Sequence, residues 1–314
     1  MGVLLIIAPT VASSISNLLQ PTSPTVPTTA PYQRDPTTAP TVAGPTSTYS
    51  PPAGGGEGAR LDQWPIDLDP DPVPYPATYD QLDSYLTANS IYDQTIEPVS
   101  CTVSGIDPSA PTDQIEDYLT GIVACLMDAW DNAVYQAGFE LPRPSVTVYD
   151  DPEFTTRCGK APEENAFYCS ADQQLYYSRD LIESFVDSAQ TRFLVDAVLA
   201  HEFGHTIQGR TGIMAAADWY WGEAADEAEE ALWSRREEQQ ADCFAGLFLN
   251  SISQSSGMTE QDSYNVEELF YYLGDPPGGD HGLPESRAGW IARGLGSTSV
   301  ATCDTFSVPA SEVP

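Results

Sequence analysis

The chain has 314 residues, with 12 Lys and Arg against 46 Asp and Glu, a formal net charge of -34 and a sequence pI near 4.1. That balance excludes a nucleic-acid binder and a polybasic membrane-surface protein, since both need a positive footprint for phosphate. Hydrophobic residues make up 41% of the chain, enough for a packed core and too many for a wholly disordered acidic protein.

Residues 1–20 begin with the apolar run Val3-Leu4-Leu5-Ile6-Ile7-Ala8, with no Lys or Arg before Arg34. A membrane span needs about 20 mostly apolar residues and a signal peptide a basic start. The stretch therefore reads as the remnant of a longer hydrophobic anchor or signal. Residues 21–74 are rich in Pro and Thr to about Pro52 and then carry Gly54-Gly55-Gly56. Such a composition buries too little apolar surface to fold and reads as an extended, disordered linker that tethers a domain to a membrane or wall. The folded domain is expected over 75–310.

Within that domain, aromatic and aliphatic residues take helical spacing over 79–86. A second helix is predicted over 112–137, where Ile115, Leu119, Ile122, Val123, Leu126 and Trp130 keep to one face. The β-branched run 145–149 reads as a strand, as does 174–178. Between them Cys158 and Cys169 bound a loop that a local disulfide would pin. Six cysteines, an even number without a Cys-x-x-Cys pair, predict three disulfides formed in an oxidising compartment.

The apolar run from Phe193 leads without a proline into His201-Glu202-Phe203-Gly204-His205. Positions i and i+4 share one helical face, so both imidazoles reach the same ion, and Glu202 reaches the water that completes its coordination. Zinc held this way needs a third protein ligand, a carboxylate or another His. A helix over 232–249 offers one: Leu232, Ala241, Ala245, Phe248 and Leu249 mark its apolar face, with Glu238 and Asp242 one turn apart on that side. Carboxylates beside an apolar stripe are costly unless compensated, which assigns Glu238 to the metal and Asp242 to the second ring N–H of a ligand His. Glu237, with Glu229, Glu230, Arg235 and Arg236, reads as a solvated charged face. The remaining His, His281, stands in the Gly-rich loop Pro277-Gly278-Gly279-Asp280-His281-Gly282.

These residues resemble the bacterial neutral zinc metallopeptidases, within the broader gluzincin type. The resemblance rests on the His201 to His205 motif, on Gln240-Ala241-Asp242-Cys243-Phe244-Ala245-Gly246, and on the Cys158 to Cys169 segment. It also takes in His281-Gly282 with Glu285, Arg287 and Trp290, ending at Cys303-Asp304-Thr305-Phe306, and so covers roughly 146–306. Carried over position by position, it implies His201, His205 and Glu238 as zinc ligands and Glu202 as the catalytic glutamate. It implies the disulfide pairs Cys158–Cys169, Cys243–Cys303 and Cys101–Cys125, and a sheet edge at 174–178 offered to the substrate backbone. Thr206 departs from the pattern, where a further His is expected; the departure leaves the ligands intact and touches only local packing.

The resulting expectation is an α/β (α+β), zincin-like domain, mostly helical, with a small sheet beside the motif helix. Its cofactor is Zn2+ and its substrate a peptide or protein. It is secreted or tethered at the cell envelope through the N-terminus. Glu202 acts as base towards water, and His281 is the candidate oxyanion donor, with Tyr220, Tyr176 and Tyr177 as alternatives and a solvent-facing or helix-capping His281 as the bland reading. Two other functions use the same residues: a zinc hydrolase of a cell-wall amide, and an idle envelope module in which the metal only joins two helices. The sequence does not read out an oligomeric state.

Overall fold

The computed structural model describes residues 64–185 and 192–314. The expected anchor remnant and residues 21–63 of the expected linker lie outside the described residues. The elements run α1 (Tyr79–Thr87), α2 (Thr112–Gln136), β1 (Val146–Tyr149), the short hairpin β2 (Thr155–Thr156) and β3 (Gly159–Lys160), β4 (Ala166–Cys169) and β5 (Gln174–Ser178). They continue through α3 (Arg179–Ser184), α4 (Leu194–Arg210), α5 (Ile213–Gly222), α6 (Glu227–Ser256), α7 (Glu260–Tyr272) and α8 (Pro284–Leu295). This is a mostly helical α+β domain with a small mixed sheet, of the zincin-like kind. No helix among the described residues is long and apolar enough to cross a membrane.

The local signals are plain. The Thr78 side chain caps α1 by accepting from Gln81 N, and α2 buries the Ile115, Leu119, Ile122, Val123, Leu126 and Trp130 stripe marked by its spacing. In the sheet β5 is central, parallel to β1 with Val146 opposite Leu175 and antiparallel to β4 with Tyr168 opposite Leu175. Alternation sends Val146, Val148, Tyr168, Leu175 and Tyr177 into the main core. On the other face Tyr149, Phe167 and Cys169 form a small second core, packed by Phe154, Cys158 and Tyr176. The expectation that 174–178 forms the edge beside the motif helix is corrected here. β5 is flanked on both sides, its residues are buried except for the half-buried Tyr176, and β4 is the strand bordering α4.

Both ends of the folded region reach beyond the expected 75–310. Trp64 is buried, Ile66 bridges Arg143, and the Asp71 carbonyl accepts from Arg210 Nη1 and Gln173 Nε2. Residues 64–74 hold on largely through their backbone, which is why a composition rich in Pro and Asp reads as linker. At the other end Val313 is buried, Trp290 donates to the Glu312 carbonyl, and Leu283 N donates to the Pro314 carbonyl.

Three disulfides staple the domain: Cys101–Cys125, Cys158–Cys169 and Cys243–Cys303. They are the pairs implied by the resemblance. The last ties α6 to the turn after α8, where the two helices touch backbone to backbone. A Cβ on Gly294 would stand 2.1 Å from the Cys243 carbonyl oxygen, and one on Gly246 would stand 2.3 Å from that of Ile291.

Near the start of α4, Asp196 is buried beneath the Tyr118 hydroxyl, which donates to it at 2.7 Å, and burial raises its carboxyl to about 6. The folded chain thus binds this proton more tightly than the unfolded chain. That advantage is present below about pH 4, drains as pH rises to about 6, and is absent above. Asp196→Asn should remove this slope, so that urea midpoints of variant and parent draw apart between pH 4 and 6.5 in the variant's favour. Parallel midpoints would contradict the burial account. Gly294→Ala should cost about 1–3 kcal/mol by overpacking and lower the thermal midpoint. On the same helix Gly289→Ala, whose new methyl meets nothing within 4 Å, should be neutral or stabilising.

Candidate metal centre

The centre depends on how closely α4 and α6 approach. Gly204, inside the His-Glu-x-x-His motif, faces Ala241: a Cβ there would lie 3.0 Å from the Ala241 Cα and 3.2 Å from its Cβ. With no side chain between the helices, Glu238, almost one turn before Ala241, reaches both motif imidazoles. Its Oε2 is 3.2 Å from His201 Nε2 and its Oε1 3.6 Å from His205 Nε2. The donor atoms of His201, His205 and Glu238 lie within 4.8 Å of one another. A four-coordinate ion with bonds of about 2.0–2.1 Å sets its donors about 3.3 Å apart, so the three residues fit a tetrahedral metal with one position left over.

Each candidate histidine ligand is held from behind. His201 Nδ1 lies 2.8 Å from Asp242 Oδ1, an ion-pair distance although the contact does not have linear hydrogen-bond geometry. Asp242 is gripped in turn by Arg287, whose Nε reaches Oδ2 at 2.9 Å and whose Nη2 reaches Oδ1 at 2.7 Å. His205 Nδ1 pairs with Gln208 Oε1 at 2.8 Å, while Gln208 Nε2 donates to the Glu237 carbonyl on α6. The rings of His201 and His205 stand almost perpendicular.

Glu202 points from α4 toward the sheet, where its Oε2 accepts the β4 Tyr168 N–H at 2.9 Å. Burial and the nearby Glu238 charge raise its carboxyl to about 7, against the opposing pull of His201 and that N–H. At His201 burial disfavours the imidazolium, yet Asp242, Glu238 and Glu202 prevail and lift it to about 10. Burial lowers His205. The Glu238 carboxyl falls well below the usual range because the His205, His281 and His201 rings outweigh its burial. Three carboxylates, Glu202, Glu238 and Asp242, thus converge with one fixed cation, Arg287. A divalent ion fits such a donor set on grounds of charge as well as distance.

His281 belongs to the same neighbourhood. Asp275 Oδ2 accepts from its backbone N–H at 2.9 Å and lies 3.0 Å from its Nδ1. The Glu238 charge, then the Asp275 contact, raise the ring's pKa against the effect of burial. The loop is pinned by Gln239, which donates to the His281 carbonyl, and by Gly282 at φ +101, where a Cβ would strike Gln239 Nε2. Of the tyrosine alternatives, Tyr220 donates to Asp83, Tyr176 donates to Asp172, and Tyr177 is fully buried under the sheet.

One reading is overturned. Glu237 is not on a solvated face: it is half-buried, and burial together with Asp218 and Glu238 pushes its carboxyl well above the usual range. Packing of α5 across that side of α6 is the reason. Arg235 and Arg236 are likewise engaged, donating to the Val313 and Gly279 carbonyls and to those of Thr305 and Val308. The pairing of Arg287 with Asp242 was not legible, although a signal exists. Arg287, Trp290, Ile291 and Gly294 follow i, i+3, i+4, i+7, so an arginine stands on the buried stripe of α8.

A family model described as "Putative neutral zinc metallopeptidase" matches residues 83–271. The uncharacterized protein YpfJ of Escherichia coli K12 is 29% identical over 227 residues, which span 68% of this chain and 78% of the relative. The uncharacterized protein Rv2575 of Mycobacterium tuberculosis H37Rv is 28% identical over 192 residues, spanning 52% of this chain and 63% of the relative. No solved structure matches the chain.

If close approach at Gly204 is what brings Glu238 to the imidazoles, Gly204→Val should wedge α4 from α6. Metal affinity should fall about tenfold or more, the scale of changes in the residues supporting metal sites. Competition with a chromophoric chelator measures this, and an affinity equal to the parent's would sink the idea.

Proposed function

The chain belongs to the neutral zinc metallopeptidase family, and from that premise we propose that it is a zinc-dependent peptidase using Glu202 as its proton-transfer group. The observation that carries the reading is the convergence of His201, His205 and Glu238 at metal-ligand spacing, with Glu202 on the same helix anchored to β4. When bound, zinc supplies Lewis acidity that brings the pKa of water toward about 7 and polarises a carbonyl. Glu202 takes the proton of the attacking water and delivers it to the departing amine. Its place on the motif helix, held by the Tyr168 N–H, suits both halves of that exchange.

His281 is the oxyanion donor in this reading. Asp275 on its Nδ1 side orients the ring and favours the protonated form, so that Nε2–H can meet developing negative charge. Asp242 fixes the plane of His201. β4, the strand that borders α4, aims Glu202 through the Tyr168 N–H. Three disulfides support folding in an oxidising compartment. With the Pro- and Thr-rich stretch as tether, the enzyme works outside the cytoplasm, secreted or attached to the envelope.

Glu202→Gln should bind zinc at parental stoichiometry and lose peptide cleavage by about 10²–10⁴-fold. The test is mass-spectrometric analysis of a proteome-derived peptide library digested by the two proteins. Cleavage by both forms would remove Glu202 from its role. Absence of cleavage by the zinc-loaded parent would turn attention to cell-wall amides.

A further inference from the structure

Behind the metal ligands lies a second layer built around one guanidinium. Arg287 comes from α8, contacts both oxygens of Asp242 on α6 through Nε and Nη2, and spends Nη1 on the Leu273 carbonyl just beyond α7, at 3.0 Å. Asp242 is wholly buried and the Arg287 side chain is 4% exposed, so these contacts are shielded from bulk solvent. Phe270 packs against His201 and Arg287, its ring 6.0 Å from the imidazole and 5.5 Å from the guanidinium carbon. Two residues past Leu273, Asp275 holds His281 and feels the Arg287 charge. The guanidinium therefore joins the carboxylate facing His201 to the segment after α7 that leads to Asp275, the partner of His281.

We propose that Arg287 is a positioning residue of the metal centre: its two-pronged grip on Asp242 sets the plane of His201 and so determines how tightly the ion is held. This rests on the metal-site reading above. The physical argument concerns what Asp242 would do alone. A fully buried carboxylate with only an imidazole beside it is free to rotate, and rotation releases the ring it faces. A fork with two parallel donors prevents that rotation, because it holds both carboxylate oxygens in the plane of the guanidinium. Lysine at this position restores the charge but not the fork.

The test is zinc affinity by chelator competition, together with the visible spectrum of the cobalt-substituted protein, for Arg287→Met, Arg287→Lys, Asp242→Asn and the double variant Arg287→Met with Asp242→Asn. His205→Ala probes the underlying reading separately, since loss of zinc there marks the site as real whatever Arg287 does. Arg287→Met is expected to lose about 10–100-fold in zinc affinity, with Arg287→Lys between it and the parent. The double variant should be little worse than Asp242→Asn, because both changes break one unit. The cobalt bands should shift in Arg287→Met while circular dichroism stays parental. A folded Arg287→Met with parental zinc affinity overturns the proposal. If the Met variant does not fold, Arg287→Lys decides: folded with parental affinity and cobalt spectrum, it overturns the proposal equally.

Discussion

Everything at the metal centre depends on the distance between two helices, and that distance is set by a missing side chain. Gly204 lets α4 settle against Ala241 of α6 so closely that an added methyl would press on backbone. Only then do side chains from two different helices meet within the span of one ion. The motif glycine acts sterically between its two histidines, and the reach of the Glu238 carboxylate to them is a consequence of that packing. The same device recurs at Gly246 and Gly294, where α6 meets α8 and thereby brings Arg287 under Asp242.

Charge explains why the arrangement suits a cation. Burying Glu202, Glu238 and Asp242 within one small volume is costly, and Arg287 alone does not balance them. The imbalance appears in the direction of the shifts: the surrounding carboxylates raise His201, and burial with the Glu238 charge raises Glu202. An ion at the centre relieves what the protons otherwise offset. Layers of support extend outward through Gln208, Asp242, Arg287 and Asp275, each fixing the rotamer of the group in front of it.

The remaining fold serves as a frame for this contact. The sheet contributes chiefly through one strand, since β4 both closes the sheet next to α4 and donates the Tyr168 N–H that aims Glu202. The Cys158–Cys169 disulfide anchors the end of that strand. The strap at 64–74 and the C-terminal residues lie across the domain through backbone hydrogen bonds, and the latter also hold the loop carrying His281.

The sequence by itself determined what depends on near neighbours. Helical spacing marks α1, α2, α4 and the middle of α6, a β-branched run marks β1 and a short run with paired tyrosines marks β5, and the four-residue offset between His201 and His205 specifies a shared face. Glu238 was legible because a carboxylate on an apolar stripe demands a partner. What only the tertiary structure decided involves contacts between segments far apart in the chain. No local pattern states that β5 lies between β1 and β4, or that α5 covers Glu237, or that Asp71 receives Arg210 from 139 positions away. Arg287 is the clearest case. Its place on a buried stripe announces that it must be paired, but its partner, 45 residues distant, is chosen by the crossing of α6 and α8, because a hydrogen bond requires proximity in space and periodicity reports only which way a side chain faces.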